Sequence, residues 1–244
     1  RTMPSLGYVS PHLHPEHCIL PPLADAQRLR VGFVSGLFGD SAVGNLARGI
    51  ITQLPRSNLE IMIISLGALK QHQAFQVLIE SASQVVQLSF WDSSSAGTAD
   101  ELLKARKAIE KLNLHVLVFP EVGLDVRSFV LAHSRLAPVQ LVTYGHAATT
   151  GIPTVDVFVS HYVFDAKPDQ QSYQYTEHLL TIHGLPHFMP SAPAKNEQRE
   201  SEIESELPSW LRWQDLLRDG AMNPLPAFKS RGRIILVAQT LYKV

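Results

Sequence analysis

The sequence holds a single cysteine, Cys18, so no disulfide can close within it and a reducing, aqueous compartment is the expected setting. No apolar run approaches the roughly 18 residues that a membrane-spanning helix needs. An excess of either charge is also missing. With 21 Lys and Arg against 22 Asp and Glu, no long-range field gathers nucleic-acid backbone or anionic lipid. Nucleic acid and membrane are therefore not expected as partners. Three catalytic signatures are absent as well: there is no G-x-S-x-G elbow, no P-loop and no G-x-G-x-x-G. Gly32, Gly36 and Gly39 are misspaced for a dinucleotide fingerprint, and Glu60 opens the next strand instead of closing it. Hydrolase, NTPase and nicotinamide-oxidoreductase readings lose their support. No charged-then-apolar leader follows Arg1, and the chain reads as a piece of a longer protein.

What is present is a core. Of 244 residues 45% are hydrophobic, enough for one large domain or two small ones. Residues 1–29 are rich in Pro and His without any period, and read as an incoming linker or the end of a preceding element. From Arg30 apolar bursts of strand length alternate with amphipathic stretches. Strands are expected at Val31–Ser35, Ile61–Leu66, Val85–Leu88, Val116–Phe119, Val139–Tyr144 and Val155–Ser160. Helices are expected at Val43–Leu54, Phe75–Ala82, Thr98–Leu112 and Val126–Arg135, the third with Leu102, Leu103, Ile109 and Leu112 on one side. Val116–Phe119 is continuously apolar, as a parallel strand covered on both faces must be. This grammar implies an α/β, doubly wound parallel sheet over residues 30–189, with its functional rim at the carboxyl ends of the strands. Residues 190–232 carry five prolines and a charged stretch, and read as a connector or an insertion in which Trp210, Leu211, Trp213, Leu216 and Leu217 suit one short helix. Ile234–Ala238 then suggests the first strand of a second domain, spanning 233–244 in this chain.

Three rim segments carry polar chemistry. The first runs from Ser35 to Ser41, where Gly36 and Gly39 would let backbone amides approach an anion, although an ordinary strand-to-helix turn is the better account of these residues. The second, Pro120–Asp125, holds two carboxylates. Asp125 precedes a helix and suits its N-cap, whereas Glu121, just beyond a buried strand, needs water or a partner. The third, Tyr144–Gly151, combines Gly145, His146, Thr149 and Thr150. It is either a ligand loop or a turn whose side chains bond their own backbone. His12, His14, His17 and Cys18 have metal-binding types in a linker without geometry, and His183 and His187 are separated by Gly184 and Pro186. No metal site is expected.

These segments, in this order, resemble the catalytic region of the O-GlcNAc transferase/SPINDLY family. Arg135–Gln140 is similar to the family's R-x-A-P-x-Q segment, and Gly145–Gly151 to its G-[HY]-P-x-[TS]-[TS]-G. Leu29–Ser35 resembles the opening strand, Leu117–Asp125 the strand and loop before the R-x-A-P segment, and Gln239–Lys243 the Q-x-L-[YF]-K donor segment. The resemblance implies a GT-B architecture, two facing Rossmann-like domains of which this chain holds the first. It implies inverting sugar transfer from a nucleotide-sugar, with UDP-GlcNAc the favoured donor and no cofactor, to Ser/Thr of acceptor proteins. It further implies a cytoplasmic or nuclear setting and tetratricopeptide repeats upstream. By the same resemblance Gln239 and Lys243 contact the nucleoside diphosphate, Lys243 is the first choice for a catalytic role, and His146, Thr149 and Thr150 line the cleft.

Two positions depart from the pattern. The histidine that the family places in the first rim loop falls on Ser41, and a serine near neutral pH cannot accept a proton as an imidazole does. The proline after His146 is Ala147. A catalytically silent relative, acting as a binding or scaffold module, is the alternative these departures motivate.

Overall fold

The computed structural model describes residues 6–14, 28–39, 41–67, 73–88, 99–161, 164–165 and 174–182, all within one compact unit, Arg1–Pro190. Its strands are β1 (Tyr8–Val9), β2 (Leu29–Ser35), β3 (Leu59–Ser65), β4 (Gln84–Gln87), β5 (Val116–Phe119), β6 (Ser134–Arg135), β7 (Val139–Thr143), β8 (Val157–His161) and β9 (His178–Ile182). Its α-helices are α1 (Ala42–Gln53), α2 (Gln73–Ser81), α3 (Ala99–Glu110) and α4 (Val126–Ala132). Seven strands form one sheet, every pairing parallel, in the order β4-β3-β2-β5-β7-β8-β9. Counted along this sheet, that is the 3-2-1-4-5-6 order of a Rossmann fold with one strand added. The order reverses between β2 and β5, and ligands of such sheets bind beyond the carboxyl ends of the strands at that point.

Strand alternation sorts the core into two layers. Val31 and Phe33 of β2, Ile61 and Ile63 of β3 and Val118 of β5 face Ala47 and Ile51 of α1 and Phe75 and Leu78 of α2. Val34, Met62, Ile64, Leu117 and Phe119 point the other way, against Leu102, Ala105 and Ile109 of α3 and Val130 and Leu131 of α4. Each fully buried Leu, Ile or Phe contributes about 2 kcal/mol relative to exposure, so β3 and β5, whose buried side chains pack on both faces, stabilise the sheet strongly. The doubly wound reading holds. Leu103, expected inward, is instead exposed, because its place on α3 is turned from the sheet.

Two short strands correct the ends of expected elements. Helix α4 stops at Ala132, three residues early, because Ser134 and Arg135 pair with Tyr8 and Val9. Residues 6–14, read from sequence as linker, thereby dock on the domain. Tyr8 donates to Glu110 Oε2 at 2.6 Å, and the buried Arg106 guanidinium lies 5.1 Å from the Tyr8 ring centre while donating to Ser134 Oγ and the Leu6 carbonyl, both at 2.8 Å. Burial of a guanidinium is tolerable only with such partners. Strand β9 was not anticipated. Its exposure alternates along the strand, and no long apolar burst announces it.

The Arg135–Gln140 segment proves to be a structural clamp. The fully buried Gln140 amide donates to the carbonyls of Ser134 (3.0 Å) and Thr154 (2.8 Å), and its oxygen accepts from the amides of Leu136 (2.7 Å) and Ala137 (3.3 Å). Arg135 grips Asp156 through both terminal guanidinium nitrogens at 2.5 and 2.9 Å, and Asp156 also accepts from the Gln140 backbone N–H. The turn before β7 is thus tied to the turn before β8. Among the described residues no helix is long and apolar enough to cross a membrane, and no group of three His, Cys, Asp or Glu is disposed to hold a metal.

Candidate functional site

The three rim segments come from β2, β5 and β7, which are neighbours in the sheet, so their loops meet at one edge on either side of the switch point. Glu121 is the buried centre of this edge. It has no solvent exposure, and Ser35 at the end of β2 donates to its Oε2 at 3.2 Å. Burial pushes its carboxyl up to about 7; the nearby Ser35 and Ser128 hydroxyls restrain the rise and the Asp125 charge adds to it. Ser128 gives its hydrogen to the Asp125 carbonyl at 2.8 Å, and Glu121 Oε1 has no hydrogen-bond partner among the described residues. A neutral carboxyl is what this environment favours.

From Glu121 a chain of hydrogen bonds runs into the first rim loop. The Leu37 amide donates to Ser35 Oγ at 2.9 Å, Ser41 Oγ donates to the Leu37 carbonyl at 2.7 Å, and the Gly44 amide donates to Ser41 Oγ at 2.9 Å. Ser41 is therefore the N-cap of α1, with both its donor and its acceptor roles used inside the protein. The glycine turn is not an open phosphate cradle. The space beside Gly36 is filled by the Asp125 carboxylate, so that a Cβ at Gly36 would collide with it and with Arg127. Asp125 caps α4, as its position in the sequence suggested, accepting from the Arg127 amide at 2.8 Å. It also pairs with the Arg127 guanidinium at 2.6 Å, and Arg127 reaches across to the Leu66 carbonyl beyond β3. Burial alone would raise the Asp125 carboxyl, but the hydrogen bonds and charge of Arg127 hold it below its ordinary value.

The third loop leaves β7 pressed on the second. Thr143 Oγ1 donates to the Pro120 carbonyl at 2.8 Å, and a Cβ at Gly145 would strike that same oxygen, which is why no side chain fits there. The His146 ring, partly exposed, then lies over Gly123, where a Cβ would sit 3.6 Å from its Cε1. Within the loop the Ala148 amide donates to His146 Nδ1 at 3.4 Å. Thr149 and Thr150 turn away to Glu177, which sequence reasoning missed. Thr149 Oγ1 donates to Glu177 Oε2 at 2.6 Å, the Thr150 amide donates to Oε1 at 2.8 Å, and Thr150 Oγ1 also reaches Oε1. Burial would raise the Glu177 carboxyl, yet these bonds hold it below its usual range, so it is kept as an anion. Of the positions singled out, the structure brings together Ser41, Glu121, Gly145 and His146 along one edge and commits the hydroxyls of Thr149 and Thr150 to Glu177. Gln239, Lys243, His17, Cys18, His183, His187, the 210–217 stretch and the 234–238 strand lie outside the described residues.

An all-parallel sheet in this order, wound by helices on both faces and with three polar loops gathered at its switch point, defines a Rossmann-like α/β domain. The sequence model of glycosyl transferase family 41 matches residues 10–189, and the chain belongs to that family. The resemblance read from the Arg135–Gln140 and Gly145–Gly151 segments is thus borne out in family and fold. Among solved structures, an O-GlcNAc transferase mutant from Thermobaculum terrenum is similar at 20% identity and a TM-score of 0.53, over 70% of this chain and 30% of that one. At that identity the likeness speaks for the fold, and the chain spans 30% of the solved chain's length. A search of curated proteins finds no match.

Proposed function

We propose that the protein carrying this chain transfers a sugar from a nucleotide-sugar to a Ser or Thr hydroxyl of acceptor proteins, with UDP-GlcNAc the leading donor. The acceptor oxygen attacks the anomeric carbon, the bond from that carbon to the diphosphate breaks, the configuration inverts, and the acceptor's proton is released. In this reading the domain described above supplies the His146 loop as one wall of the cleft. Gln239 and Lys243 hold the diphosphate, the ammonium offsetting charge as the leaving group departs. A cytosolic or nuclear setting and upstream repeats that capture the acceptor belong to the same proposal.

The observation that carries the reading is the convergence, in a family 41 chain, of the β2, β5 and β7 loops at the switch point, with His146 partly exposed among them. The hydroxyls of Ser41, Thr149 and Thr150 are spent on the fold. Among the described residues of these three loops, His146 is the partly exposed imidazole and the side chain best placed to face a substrate. A second reading, a silent relative that binds without turnover, draws support from Ser41, whose capping role leaves no group there to take a proton.

The test is transfer of labelled sugar from UDP-GlcNAc, and from other UDP- and GDP-sugars, to protein by the full-length gene product. Transfer supports the first reading. Nucleotide binding without transfer or donor hydrolysis supports the second, and neither binding nor transfer overturns both.

A further inference from the structure

A buried carboxylate, Glu177, meets the far end of the His146 loop. Glu177 immediately precedes β9 and is 7% exposed, yet it holds its charge. Its two oxygens bracket one dipeptide: Oε2 takes the Thr149 hydroxyl, and Oε1 takes both the amide and the hydroxyl of Thr150. The bracket is closed further by Thr176, whose amide donates to Thr149 Oγ1 at 3.1 Å and whose hydroxyl lies 3.0 Å from it. Thr150 Oγ1 in turn accepts from the Ile152 amide at 3.2 Å. Every hydroxyl and carboxylate oxygen in the group therefore has a partner, which makes the arrangement single-valued.

The other end of the loop is fixed independently. Gly145 is pressed on the Pro120 carbonyl, and Thr143 donates to the same oxygen at 2.8 Å. His146 is suspended between these two anchors, one in the β5 loop and one before β9. Its own contact in the loop, the 3.4 Å bond from the Ala148 amide, is too long to hold the ring alone. Removing one anchor frees Ala147 and Ala148, neither of which has a side chain that could grip a neighbour.

We propose that Glu177 is the positioning residue for His146, pinning the Thr149–Thr150 dipeptide so that the imidazole is presented at the rim in one orientation. This rests on the functional reading above for its consequence in turnover, and on geometry alone for the pinning. Positioning of a reacting group within about an ångström governs rate far more than affinity, so the effect belongs in kcat.

Two measurements on Glu177→Ala and Glu177→Gln decide it. The Gln variant keeps the shape, and the threonine hydroxyls can rotate to accept from its amide. In the first, hydrogen–deuterium exchange of the 244-residue chain is expected to accelerate at least about tenfold at Thr149–Ile152 in the Ala variant, with β5 and β7 unchanged, and to stay within about threefold in the Gln variant. Unchanged loop exchange, or equal acceleration throughout the sheet, overturns the pinning. In the second, the full-length protein is assayed for sugar transfer. Glu177→Ala is expected to lower kcat at least about tenfold with KM for the nucleotide-sugar within about threefold, Gln restoring most of it. In a His146→Ala background the same change should cost little more, because the two act as one unit. Additive losses, or a loss confined to KM, overturn the positioning role. If the unsubstituted protein transfers no sugar, the functional reading and the kinetic role fall together, while the exchange result still decides whether Glu177 pins the loop.

Discussion

Ser35 closes the first strand of the sheet and donates to the Glu121 carboxyl, 3.2 Å away, across the point where the strand order reverses. The pair joins the β2 loop to the β5 loop beneath the surface of the candidate site. It also gives the domain a distinct dependence on pH.

Glu121 has its folded pKa raised from the ordinary 4.5 to about 7 by burial. The folded state therefore binds more protons than the unfolded state between those values, and stability falls as pH rises through about 7. The contribution is fully present below pH 4.5. Glu121→Gln, which keeps the shape and cannot ionise, is expected to flatten this dependence. It should be more stable than the unsubstituted chain at pH 8 by up to roughly 3 kcal/mol, the cost of ionising that buried group. Denaturant unfolding at pH 5 and pH 8 checks it, and an equal pH dependence in both proteins contradicts it. Asp125 works in the opposite sense: its depressed carboxyl stabilises the fold above its unfolded pKa and that stability is lost as pH falls through the folded value.

Gly145→Ala is expected to destabilise the domain by about 1–3 kcal/mol, because the added Cβ meets the Pro120 carbonyl and backbone cannot yield as a flexible side chain can. Gly39→Ala, with nothing within 4 Å of its Cβ, should stay within about 1 kcal/mol of the parent. Thermal unfolding of the two variants side by side separates the close approach of two loops from a general intolerance of alanine at the rim.

Gln140→Ala strips partners from two amides and two carbonyls in the turns before β7 and β8. A loss of at least about 3 kcal/mol is expected, since each buried polar group left unsatisfied costs about 1–3 kcal/mol. Gln140→Glu should be no better at neutral pH, because an oxygen would then face the carbonyls of Ser134 and Thr154, and should recover partly in acid as that carboxyl gains a proton. Urea titrations at pH 7 and pH 5 measure both effects.

What could be read from the residues was what short range and burial dictate. Val116–Phe119 emerged at its observed bounds because a strand covered on both faces must be apolar throughout. The Asp125 cap was legible because donor and acceptor lie two residues apart. The two-residue strands β1 and β6 carry no period, and their pairing joins Tyr8 to Ser134 across most of the domain. Glu177 gave no signal for a similar reason: its partners lie 27 and 28 residues earlier, and only the fold brings β9 to the end of the β7 loop. The resemblance marked Thr149 and Thr150 as cleft residues. Their composition also allowed a purely internal role, and the geometry shows hydroxyls turned to Glu177. Gln140 lies in the most specific segment of that resemblance, and its amide serves the turns of the fold.

The central claim is that ligands meet this domain where the β2, β5 and β7 loops converge. Hydrogen–deuterium exchange of the full-length protein, with and without UDP-GlcNAc and an acceptor polypeptide, tests it most directly. Protection is expected at residues 120–125 and 144–151, and at 35–41 through the Ser35–Glu121 link, with α3 and the amino ends of the strands unchanged. Protection confined to other parts of the domain, with these three segments exchanging as before, would contradict the account.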